Sequence, residues 1–331
     1  MSKAEPERKE PYPVGSILCL NVTSDAQTTQ DHPKRYVRVK RQFRPYTASC
    51  GLVVELLDDT GHEEVGNDPK PRREAFLKLY DWRFAEVLRK HNSTKPWSKE
   101  IEHKYLTGLI SGKVQKFIYW LNDDESSDES SRKSGDEWEA EEDEAYVYSK
   151  MIETYEAEVA TYDRLNKYQA DVIPSFLGQV TLSISSKNFT LNEQQRNFYH
   201  VKGILLEYLP GSNLHDIWEK APRTSWQDIV DQALRIVHIL GDNDVLNPDV
   251  RPENFVVVST EQDKFRVCMI DFGQCRFRGK DESDAEWGRE KCQKEEEDKV
   301  GGHMKAKLEQ RYGFELNYEP SGRYSEWADR S

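Results

Sequence analysis

Asn247-Pro248-Asp249-Val250-Arg251-Pro252-Glu253-Asn254 runs directly into the apolar stretch Phe255 to Val258, and a second apolar stretch, Phe265 to Ile270, runs into Asp271-Phe272-Gly273. If these two stretches pair as antiparallel strands, Asp249 and Asn254 precede one strand and Asp271 ends the other. Two carboxylates and an amide then converge, a donor set suited to a metal ion and a phosphate. Just upstream, Ser225-Trp226-Gln227-Asp228 has the form of a capping box. Ile229, Val230, Ala233, Leu234, Val237 and Leu240 follow as an apolar stripe ending near Gly241. That pattern predicts a helix delivering the chain to the Asp249 loop.

Further upstream, Val201 to Leu209 reads as a buried strand ending in an extended connector that stops at Pro210-Gly211-Ser212, with a short helix over Asn213 to Lys220. Ala145 to Tyr168 carries Met151, Ile152, Tyr155, Val159, Tyr162 and Leu165 at helical spacing, with Glu158 and its rival Glu156 on different faces. Ile173-Pro174 ends that helix, and Phe176 to Ser185 reads as a strand. Nearer the start, Tyr36 to Phe43 and Leu52 to Leu57 flank a turn and predict a hairpin, and Ala75 to Asp81 predicts a strand holding Lys78. Arg83 to Leu121 shows helical spacing. Residues 1–35 read mostly as loop, with one apolar patch, Val14 to Val22, suited to a short strand or a docking segment.

The 331 residues suffice for one two-lobed domain or two ordinary ones. The five cysteines, Cys19, Cys50, Cys268, Cys275 and Cys292, form no CxxC pair, which indicates neither a zinc site nor a disulfide framework. The charged start has no apolar core, and no segment is apolar enough to span a bilayer, so the expected location is intracellular, cytoplasmic or nuclear. Net charge is −13, of which residues 122–144 supply −10 through twelve acidic residues against Arg132 and Lys133. Self-repulsion predicts a disordered acidic loop there, with Ser126, Ser127, Ser130, Ser131 and Ser134 as phosphorylation or docking candidates. The basic run Lys34 to Arg41 alternates onto one strand face and comes with no recognised binding motif, which argues against nucleic acid as a partner.

Asp-x-x-x-x-Asn with Asp-Phe-Gly seventeen residues after the Asn resembles the catalytic and metal-binding loops of the protein kinase fold, most closely the small atypical kinase-like proteins common in fungi. The resemblance spans residues 36–275. It implies an α+β, bilobal fold: an antiparallel-sheet N-lobe with one αC-like helix over 36–209, and a shortened, mainly helical C-lobe over 210–318. A helical insertion (83–121), the acidic loop (122–144) and a polar tail (319–331) would complete the chain. Position by position, Lys78 and Glu158 look like the phosphate-anchoring pair, and Glu207, Tyr208 and Leu209 like the hinge that bonds adenine. Asp249 looks like the residue orienting the acceptor hydroxyl, Arg251 like a charge near the γ-phosphate, and Asn254 with Asp271 like the Mg²⁺ ligands.

Several features depart from that pattern. The turn Pro45 to Gly51 has one glycine, Asn247-Pro248-Asp249 replaces His-Arg-Asp, no Ala-Pro-Glu follows Gly273, and 58 residues remain beyond it. The resemblance therefore implies an ATP- and Mg²⁺-dependent phosphotransferase whose acceptor is a small molecule or a protein. The alternative it implies is a pseudokinase or scaffold that binds nucleotide, or a protein partner through residues 83–144.

Overall fold

Six strands close on themselves in the computed structural model, which describes residues 11–23, 33–58, 61, 73–123, 138–186, 188–261 and 263–328. They are Ile17–Thr23 (β1), Lys34–Phe43 (β2), Cys50–Leu56 (β3), Glu74–Tyr80 (β4), Phe176–Leu182 (β5) and Val201–Glu207 (β6), in the order β1-β2-β3-β4-β6-β5, with β5 returning to β1. β1 pairs antiparallel with both neighbours, Leu20 standing opposite Arg35 on β2 and Leu182 on β5. Alternation puts one face inside: Leu20, Val37, Val39, Leu52, Val54, Leu77 and Leu79 are fully buried. The hairpin β2–β3 carries a register shift between Val39 and Arg41. Beyond that shift Arg41 and Phe43 share a face, with the guanidinium 4.4 Å from the ring centre.

The chain divides into two compact units, Met1–Tyr155 with Leu177–Leu206, and Glu156–Phe176 with Glu207–Ser331. Beside the barrel, the first unit holds Glu86–His91 (α1), Lys99–Ser111 (α2), Lys113–Leu121 (α3), most of Ala140–Arg164 (α4) and Glu193–Asn197 (α5). These helices enclose an aromatic cluster around the buried Trp82, with the rings of Tyr148, Tyr105, Trp97 and Tyr199 centred 5.2 to 6.3 Å away. The buried Arg89–Glu144 ion pair ties α1 to α4, and Arg89 also donates to the carbonyl of Trp82 at 2.9 Å.

The second unit is built on Trp226–Asp242 (α7), whose Ile229, Val230, Ala233, Ile236, Val237 and Leu240 are buried. Ahead of it come Ser212–Asn213 (β7) and Ile217–Lys220 (α6); behind it come Val245–Leu246 (β8), Phe255–Glu261 (β9), Lys264–Met269 (β10) and Arg276–Phe277 (β11). β9 pairs with β10 and β7, and β11 with β8. Asp284–Lys294 (α8), Glu296–Tyr312 (α9) and Ser325–Ala328 (α10) complete it. The expected Ser225 capping box does not form: a 3-10 turn over Arg223–Ser225 leads into α7, and the Ser225 hydroxyl donates to the carbonyl of Asp263 at 3.4 Å.

Three expectations need correction. The open antiparallel sheet of a kinase N-lobe is not what forms, because β1, falling on the apolar patch read as a short strand or a docking segment, fills the gap between β2 and β5 and leaves no free edge. The bilobal kinase-like fold class falls with it. The acidic stretch is not wholly loop either: residues 124–137, with the five serines, lie outside the described residues, but α4 begins at Ala140. Glu141, Glu142 and Asp143 suit the positive end of a helix, and the Glu142 carboxylate accepts the Glu139 N–H at 2.9 Å. Among the described residues no helix is long and apolar enough to cross a membrane.

Candidate functional site

α7 and β8 deliver the chain to Asn247–Asn254, a loop closed by its own polar groups. The Asp249 N–H donates to Asn247 Oδ1 at 2.9 Å, and the Asn254 N–H donates to the Arg251 carbonyl at 2.9 Å. Asn254 is buried and donates through Nδ2 to both the Asp249 carbonyl, at 2.9 Å, and Asp249 Oδ2, at 3.1 Å. Arg251 lies 3.3 Å from the same Oδ2, with about half of its side chain exposed against 22% for Asp249. Both side-chain contacts thus fall on one carboxylate oxygen. Among the described residues none donates to Oδ1.

Behind the loop is a second layer. Asn247 has no solvent exposure, and its N–H donates to Glu296 Oε1 at 2.8 Å. Glu296 is ion-paired with Lys291, and both side chains are almost completely buried. Lys291 also donates to the Val245 carbonyl at 3.0 Å, and Lys299 to the Pro248 carbonyl at 2.8 Å. The loop is therefore fixed from below by two lysines and a glutamate that the reading of the motif left out. Glu296 stands in a Glu-Glu-Asp run that looks solvated, yet Glu296, Val300, Met304 and Leu308 recur at four-residue steps and all are buried. That spacing is the signal that exposes it.

The remaining candidates are placed as follows. Asp271 follows β10 in a left-handed conformation, φ 67°, and its neighbour Ile270 donates its N–H to the Asn254 carbonyl at 2.9 Å. Glu158 is buried on α4. Burial raises the Tyr162 hydroxyl well above its ordinary value, and the negative charges of Glu158 and Asp271 push it further in that direction. Lys78 belongs to the first unit, opposite Gly51 on β3, with its ammonium 5.6 Å from the Tyr80 ring centre.

At Glu207, Tyr208 and Leu209, the stretch expected to bond adenine, part of the backbone is already engaged. The Glu207 N–H donates to the Ser175 carbonyl at 2.9 Å, and the Leu209 carbonyl accepts from Gly211 at 2.9 Å. The Glu207 carboxylate accepts from Ser175 N–H and Oγ and from Arg266. Burial alone would raise it, but these donors hold it below the usual carboxylate range. Tyr208 is half-buried between them.

The metal expectation is also corrected. Among the described residues no group of three or more His, Cys, Asp or Glu side chains is arranged to hold a metal ion. With no such group among the described residues and a closed barrel in place of the open kinase sheet, the reading as a kinase-like phosphotransferase is withdrawn, with its ATP, its Mg²⁺ and its phosphate acceptor. The pseudokinase alternative took its meaning from the same fold. A protein partner on 83–144 loses its footing too, since Tyr105, Leu106, Leu109, Val114 and Ile118 are buried within the insertion's own unit.

No family model matches the chain, and no curated protein is significantly similar to it. The kinase resemblance therefore rests on two short motifs alone.

Proposed function

We propose that the Asn247–Asn254 loop is a binding site for a small neutral polyhydroxylated ligand, with Asp249, Arg251 and Asn254 as its recognition residues. The observation that carries this reading is the uneven use of Asp249: Oδ2 is held by Asn254 and Arg251, while Oδ1 receives no donor among the described residues. A carboxylate fixed through one oxygen presents the other as a preoriented acceptor. The exposed Arg251 guanidinium keeps donors beside it. One hydroxyl of a vicinal diol donates to Oδ1, and its neighbour accepts from Arg251. A ligand of net charge zero suits this set, because the local carboxylate and guanidinium balance each other.

The test is a thermal-shift titration with a hexose, inositol and glycerol, comparing wild type with Asp249→Asn. Binding at one hundred times Kd stabilises by about 2.7 kcal/mol, so the wild-type shift should grow with the logarithm of ligand concentration, and the variant should lose that logarithmic part. Polyols also stabilise proteins non-specifically by exclusion from their surface. Parallel shifts in both proteins, linear in polyol concentration, therefore refute the site.

A further inference from the structure

After α9 the chain turns at Gly313, φ 57°, and runs back across α7, α8 and α9 as a strap ending in α10. Its aromatic side chains sit on helix glycines. Tyr318 packs on Gly301 of α9 and Tyr324 on Gly241 of α7, each so closely that a Cβ there would overlap the ring or its hydroxyl. On α8 the approach involves backbone: a Cβ at Gly288 would lie 2.6 Å from the Ala328 nitrogen and 2.7 Å from Trp327 Cβ. Three helices thus each supply a seat that no larger residue leaves open.

Between these seats the strap is held by polar ties. Ser321 donates through N–H and Oγ to Glu297 at 2.9 and 2.5 Å, Arg323 pairs with Asp242, and Asn317 exchanges two hydrogen bonds with Gln227. A half-open pocket of about 310 Å³ is lined on one side by Pro320 to Ser325 and also by Lys291 and Glu296. Glu296, paired with Lys291, accepts the Asn247 N–H, and Asn247 Oδ1 accepts the Asp249 N–H. A segment lining a pocket and held through exposed polar ties is bound less firmly than the helices it crosses.

We infer that the strap over residues 315–328 is a releasable clasp whose seating keeps the Lys291–Glu296 pair dry and thereby fixes the Asn247–Asn254 loop. Its release gives water access to the buried Lys291–Glu296 pair, weakens it by screening, and frees the loop. The consequence for a ligand rests on the reading of Asp249 as a binding residue, but the coupling itself is read without any ligand, so the two stand or fall separately.

Hydrogen exchange by mass spectrometry on the full chain tests it. In mild denaturant, peptides covering 315–328 and 247–254 should lose protection together, before β9 does. Gly288→Val, which meets the Ala328 backbone, should speed exchange in both peptides by about tenfold, and Arg323→Ala, which adds no volume, should move both the same way by less. The clasp is refuted if the wild-type strap opens only with global unfolding. It is equally refuted if either variant frees the strap while 247–254 keeps its protection.

Discussion

Glu296 shows how much of the site depends on one side chain. Its carboxylate sits beside the Lys291 ammonium with almost no access to water, and it also accepts the Asn247 N–H. Replacing it by alanine leaves a buried ammonium without its partner charge, so Glu296→Ala should cost about 3–5 kcal/mol in urea unfolding. The double variant Lys291→Met/Glu296→Leu removes both charges and should recover most of that loss. Recovery should stop short of wild type, because the Asn247 N–H then lacks its acceptor, at about 1–3 kcal/mol. A single variant as stable as wild type would mean that the pair is solvated and holds nothing. The motif around Asp249 was legible as a polar cluster because its residues are close in sequence. The support from Glu296 was hidden because a run of acidic residues reads as surface unless its helical step is followed.

At the scale of elements, α7 was legible from its apolar stripe and the β9–β10 hairpin from its two apolar runs. The strap was not, because Tyr318, Tyr324 and Trp327 find glycines on three different helices, and no local pattern announces a seat made elsewhere. Its main tie to α9 has a pH signature. Burial would raise Glu297, but His238 at 3.1 Å and the two Ser321 donors bring it down to about 2 from an ordinary 4.5. A depressed carboxylate stabilises the folded form above its unfolded value and loses that contribution as pH falls through the folded one. The strap should therefore stay seated down to about pH 4.5 and loosen progressively toward pH 2. Exchange of the 315–328 peptide would follow this release. In Glu297→Gln the acid-dependent part should vanish; an unchanged acid transition in that variant would assign the release to another group.

At the scale of the molecule, what decided the outcome was the pairing of one short strand, on an apolar patch legible as a strand candidate whose partners were not. Ile17–Thr23 pairs with residues near 36 on one side and near 180 on the other, and partners so far apart leave no trace in local periodicity. Two short motifs suggested an open kinase-like sheet; β1 turns that sheet into a closed barrel without edge strands. Leu20 is the anchor, fully buried between Arg35 and Leu182 in register. Leu20→Ala should keep the barrel closed and cost about 2–5 kcal/mol, as for other buried leucines. Leu20→Asp should do something different in kind. An unpaired carboxylate in the barrel interior drives β1 out rather than leaving a cavity, and the edges of β2 and β5 then become free to pair with other chains. Size-exclusion chromatography should find the alanine variant eluting as wild type and the aspartate variant as soluble aggregate or lost to the pellet. If the aspartate variant elutes as wild type with only an alanine-like loss of stability, β1 is an accessory to a sheet that holds its edges without it.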